Sequence, residues 1–100
     1  MRPAPVLIAV TDHAADRFRQ RVRGTLDAKA EITERVASAW AAGSTRPGRQ
    51  GTTDVLDLRD RRVIYVCRHD VPRGELVVVT LWEEGPEARV PRRFTDAVDG

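Results

Sequence analysis

The 100-residue chain has a single cysteine, two histidines, one lysine and five aromatic residues, and it contains no long apolar run. Each shortage excludes something. With only Cys67, no disulfide can form within the chain, and its place in the run Val63-Ile64-Tyr65-Val66-Cys67 reads as a buried small hydrophobe in a reducing compartment. The longest aliphatic stretch near the start, Val6 to Val10, is too short to cross a bilayer or to serve as the core of a secretion signal, so a cytoplasmic location is expected. His13, Cys67 and His69 lack the spacing of a metal site, and there is neither a glycine-rich phosphate loop nor a serine nucleophile motif. No metal or cofactor is called for.

The composition is that of a globular domain, with 41% hydrophobic and 32% charged residues. Net charge is only +2, but it is uneven: residues 1–53 carry nine basic and five acidic side chains (9 − 5 = +4), and residues 54–100 carry eight and ten (8 − 10 = −2). The first half is the anion-binding half. Sixteen of the seventeen basic residues are arginine, which GC-rich coding explains as well as phosphate recognition does.

The segment Thr11 to Val22, T-D-H-A-A-D-R-F-R-Q-R-V, organises the reading. Thr11 is suited to cap a helix and Asp12 to face the positive end of its dipole. Ala14, Phe18 and Val22 then form an apolar stripe, with Ala15 at its margin, and His13, Arg17 and Arg21 form a parallel ridge one helical turn apart. A charged ridge opposite an apolar stripe is also what an ordinary surface helix shows. The functional reading rests on chemistry. First-turn amides attract anions, two forked guanidiniums suit phosphate, and those cations favour the neutral imidazole that a general base requires.

Along the chain, Val6–Val10 reads as a strand buried on both faces, and the helix from Asp12 ends at Gly24. Ile32, Val36 and Trp40 mark a second helix from about Asp27 to Ala42, closed by Gly43 and packed antiparallel to the first. Ser44–Thr53 reads as a loop holding Arg46 and Arg49. From Asp54 the period becomes two, with Leu56 and Leu58 on one side and Val55, Asp57 and Arg59 on the other. Further strands are expected over Arg62–His69 and Glu75–Trp82, joined by the loop Asp70–Gly74. Residues 1–85 form one α+β domain of order β-α-α-β-β-β, with the helical hairpin on one face of a mostly antiparallel four-stranded sheet. The uncovered face should display some of Val55, Asp57, Arg59 and Tyr65. The tail, residues 86–100, is compatible with a frayed arm, an added edge strand or a short helix.

His13-Ala14-Ala15-Asp16-Arg17-Phe18-Arg19-Gln20-Arg21 resembles the helix motif H-A-x-x-R-[aromatic or Met]-x-x-R of small RelE-like proteins, of the RelE/ParE toxin superfamily. The likeness extends through Gly43 to the pair Val79-Thr80. It implies the RelE-like fold and a toxin-type ribonuclease: metal-independent cleavage by attack of the ribose 2′-hydroxyl on the adjacent phosphate. RNA or the ribosome would be the target, and an antitoxin or host protein a further partner. Such chemistry needs a base, an acid and cations. His13 is the candidate base or acid, Arg17 and Arg21 the cations, and Tyr65 a proton donor or stacking surface if it faces the open sheet. Arg46, Arg49, Arg59, Arg62 and Arg68 are candidate phosphate contacts, and His69 is a candidate second proton-transfer group better read as a surface histidine. Glu83-Glu84 departs from this pattern, since two acids beside the site would repel RNA. The competing reading is a non-catalytic module, of phage or mobile-element kind, that binds nucleic acid or protein through the same ridge. Oligomeric state is not legible.

Overall fold

The computed structural model describes residues 5–22 and 24–84. Its elements are β1 (Leu7–Val10), α1 (Asp12–Arg21), α2 (Ala28–Ala41), β2 (Thr45–Pro47), β3 (Thr53–Leu56), β4 (Val63–Asp70) and β5 (Glu75–Glu83). The expected tail structures over 86–100 lie outside the described residues.

Both helices begin where a side chain can satisfy an amide that the helix leaves unpaired. Thr11 accepts from the amide of Ala14, and Asp27 from that of Ala30. Gly43, at φ 74°, turns the chain out of α2 in a conformation that a Cβ would disfavour. Ala14, Ala15 and Phe18 of α1, and Ala28, Ile32, Val36 and Ala39 of α2, are buried against the sheet. Each large aliphatic or aromatic side chain among them contributes about 1.5–3 kcal/mol relative to exposure.

The sheet has five strands in the order β1-β5-β4-β3-β2, so the chain is α+β with an open, mostly antiparallel sheet. Only β1 runs parallel to its neighbour, pairing Leu7–Val10 with Glu75–Val78 of β5. The extra strand, β2, lies inside the segment expected to be a loop. Its three residues pair with Val55, Asp54 and Thr53, and as an outer strand it can hold Pro47, which has no amide to donate. β1 also differs from expectation. It is an edge strand, and Leu7 is 73% exposed rather than buried.

The largest correction concerns which face of β3 and β4 is covered. Val55, Asp57 and Tyr65 lie beneath the helices and are buried, whereas Leu58 is 42% exposed. Inside sits a polar network. Asp57, 1% exposed, accepts from Tyr65 Oη at 2.5 Å, from Arg35 Nη1 at 3.2 Å, and from the amides of Arg59 and Asp60 at 2.7 and 3.2 Å. Arg35 also bonds Glu31 and lies 5.4 Å from the centre of the Phe18 ring. Burial alone would raise the Asp57 carboxyl, but the hydrogen bonds from Tyr65, the two amides and Arg35 outweigh it and hold the group below its ordinary value. An acid so fully satisfied can occupy a core. In the sequence it looks like a surface residue, which inverted the two faces.

Candidate nucleic-acid interface

β1 stops at Val10, opposite Val78, and leaves the outer edge of β5 without a strand partner beyond that point. Helix α1 occupies the gap. Thr11 Oγ1 donates to the carbonyl of Val79 at 2.9 Å, Arg17 Nε to the carbonyl of Leu81 at 3.2 Å, and Arg21 Nη1 to Glu83 Oε1 at 2.6 Å. Four residues of helix advance about 6 Å and two of strand nearly 7 Å, so the ridge follows the strand rung by rung. The same step back from Arg17 brings His13 level with Val79. The ridge thus seals a strand edge that would otherwise offer unpaired carbonyls.

The three ridge residues consequently differ. His13 is exposed, and no ion pair or hydrogen bond holds it among the described residues. Arg17 is half-buried, anchored through Nε to a carbonyl, and has no carboxylate partner among the described residues. Arg21 is neutralised by Glu83, which also lies 3.3 Å from Arg62 Nη2. Glu83 therefore consumes cations on the helix side of the sheet.

Tyr65 does not face the open sheet. It is buried under the helices with its hydroxyl given to Asp57, and burial together with that bond pushes its pKa up, so it is neither a stacking surface nor an accessible acid. His69 sits on the same side, edge-on to Trp40 at 5.0 Å between ring centres. Cys67 is buried, and burial pushes its thiol up to about 12.

The five other arginines divide by partner. Arg59 pairs with Glu31, Arg62 with Asp60 and Glu83, and Arg46 with Asp54 at 3.4 Å and Glu84 at 3.7 Å. Arg49 and Arg68 have no carboxylate partner among the described residues. Arg68 alternates with His69 along β4 and so points to the side of the sheet away from the helices.

That side contains a residue absent from the sequence-derived candidates. Opposite β4, the strand β5 carries a bulge at Val79: Val78 faces Cys67 but Thr80 faces Val66. Strict alternation from the buried Leu76 and Val78 would bury Trp82. The extra residue instead buries Leu81 and turns Trp82 outward. Trp82, Val66, Asp54, Thr52, Gln50 and Arg49 line a groove of about 460 Å³ on the open face. A valine triplet before Thr80 is the only sequence signal of the bulge, and it is a weak one.

No family model, curated protein or solved structure matches the chain. Among the described residues no helix is long and apolar enough to cross a membrane, and no three His, Cys, Asp or Glu side chains converge as metal ligands.

Proposed function

We propose that this protein is a RelE-like, toxin-type ribonuclease that engages RNA along the exposed edge of α1 and the sheet face away from the helices, and cleaves it without a metal. The observation that carries this reading is the different state of two neighbours on one ridge: among the described residues, an exposed imidazole with no partner stands one turn from a guanidinium whose Nε is fixed to the Leu81 carbonyl and whose terminal amines meet no carboxylate. His13 takes the proton of a ribose 2′-hydroxyl. The 2′-oxygen forms a bond to phosphorus, the bond to the 5′-oxygen breaks, and that oxygen leaves with a proton from solvent. The products are a 2′,3′-cyclic phosphate and a 5′-hydroxyl. Arg17, already oriented, meets the charge that develops on the phosphoryl oxygens. Arg49 and Arg68 extend the cationic track, while Arg21 and Tyr65 serve the fold.

A second reading, RNA binding without cleavage, is favoured by the loss of Tyr65 and Arg21 from the chemistry, since Tyr65 is buried and gives its hydroxyl to Asp57 and Arg21 is paired with Glu83. Incubating purified protein with a fluorescent single-stranded RNA in chelator separates the two. Cleavage that His13→Ala lowers about 10²–10⁴-fold supports the nuclease. Tight binding without cleavage establishes the second reading, and neither binding nor cleavage overturns both.

A further inference from the structure

The groove on the open face contains an acid in an unusual state. Asp54 is 9% exposed, yet its Oδ1 has no hydrogen-bond partner among the described residues and its Oδ2 has only the long 3.4 Å contact from Arg46 Nε. Arg46 is itself shared with Glu84. A carboxylate removed from water normally accepts several hydrogen bonds, as Asp57 does on the other face, so Asp54, which lines the groove, retains unused acceptor capacity.

The surrounding loop is built closely around it. A Cβ placed on Gly48 would stand 2.8 Å from Asp54 Oδ1 and would also strike Thr52 Oγ1, so only glycine lets the loop approach this far. Two residues on, Gln50 adopts φ 55° and ψ 40°, a left-handed conformation rare for a residue without a short polar side chain, and it lines the same groove. Trp82 and Val66 supply an apolar wall, and Arg49 stands at the groove with no carboxylate partner among the described residues. An aromatic plane, a paired acceptor and a cation together match the three parts of a nucleotide.

We propose that this groove is a subsite for a guanine nucleotide, with the base stacked on Trp82, its N1–H and N2–H₂ donors turned to the Asp54 carboxylate, and its phosphate against Arg49. Guanine is selected because its Watson–Crick edge presents two adjacent donors to a group that can only accept. Adenine and cytosine each offer one amine beside an acceptor that would face the carboxylate, and uracil offers one donor between two carbonyls. The volume of about 460 Å³ falls within the ordinary range of small-ligand sites. The guanine can belong to single-stranded RNA or be a free nucleotide, and the chemistry of the subsite is common to both. The inference rests on the proposed RNA reading only for that source, not for the base.

Titration of the isotope-labelled full chain followed at its two indole N–H signals, those of Trp40 and Trp82, provides the test. Trp82→Phe assigns them. GMP is expected to move the Trp82 signal alone and to bind about tenfold more tightly than AMP, CMP, UMP or inosine monophosphate, which lacks the N2 amine. Arg49→Ala, on an exposed turn, should bring GMP down to the affinity of guanosine, and Asp54→Asn should abolish the preference over inosine monophosphate. The wild-type order needs no variant to fold. Equal binding of all bases, or no movement of the Trp82 signal at millimolar nucleotide, overturns the proposal. A uridine oligomer with one central guanosine that binds more than tenfold tighter than GMP identifies RNA as the source, and equal affinity identifies the free nucleotide. Guanine binding that survives in His13→Ala while cleavage is absent from the wild type sinks the nuclease alone, whereas cleavage without any guanine preference sinks this inference alone.

Discussion

The two faces of one sheet treat the same kinds of side chain in opposite ways. Beneath the helices, Asp57 accepts four hydrogen bonds and Arg35 meets two carboxylates and an aromatic ring. On the open face Asp54 accepts one long bond, and Arg49 and Arg68 meet no acid among the described residues. A charge in the interior is tolerated only when its partners replace the water it has lost, so Asp57 and Arg35 have no charge left over for a ligand.

The largest expected effect breaks the covered face. Asp57→Ala should cost about 3–5 kcal/mol in denaturant unfolding, because it strands Arg35 and the Tyr65 hydroxyl in the interior. The matching change on the open face, Asp54→Ala, should cost less than about 1 kcal/mol, since little bonding is lost there. Equal costs would erase the distinction between the faces.

Acid provides the next test. Because the folded pKa of Asp57 is depressed, its contribution is complete above the ordinary carboxylate value and is lost as pH falls through the lower, folded one. Unfolding free energy should therefore drop below about pH 4 in wild type and more shallowly in Asp57→Asn. A mutant that keeps the full wild-type slope would remove Asp57 from the account.

Smaller effects separate arginines that are engaged from those that are not. Arg49→Ala and Arg68→Ala should each weaken RNA binding about threefold to tenfold and reduce its salt dependence, with stability unchanged within about 0.5 kcal/mol. Arg21→Ala should do the reverse, costing up to about 1 kcal/mol through its half-exposed pair with Glu83 and leaving RNA affinity nearly intact. The smallest change is at Cys67. Its thiol should react with a disulfide reagent only as fast as the protein opens, because it is buried and its pKa is raised.

Much of this contrast was legible in the residues, and what was not has identifiable causes. The caps Thr11 and Asp27, the stripe through Ala14 and Phe18, and the closing Gly43 express local rules, so both helices stand where the spacing predicts them. Which side of the sheet they cover is not a local matter. A buried, fully bonded Asp57 reads as a surface acid, and one extra residue at Val79 reverses the alternation that would have hidden Trp82. β2 escaped notice because an edge strand of three residues needs neither alternation nor an amide at Pro47. At the candidate site, the ridge of His13, Arg17 and Arg21 follows from helical spacing. Its division into an exposed base, an anchored cation and a neutralised one depends on Leu81 and Glu83, more than sixty residues away.

The central proposal is that RNA meets the α1 edge and the sheet face away from the helices, while the face beneath the helices only holds the fold. The most direct measurement is a backbone and side-chain NMR titration of the protein with a short single-stranded RNA. The account predicts that signals of His13, Arg17, Arg49, Val66, Arg68 and Trp82 move together while those of Arg35, Asp57 and Tyr65 stay in place. Movement confined to the outer surface of α2, or none at RNA concentrations well above the protein's, would contradict it.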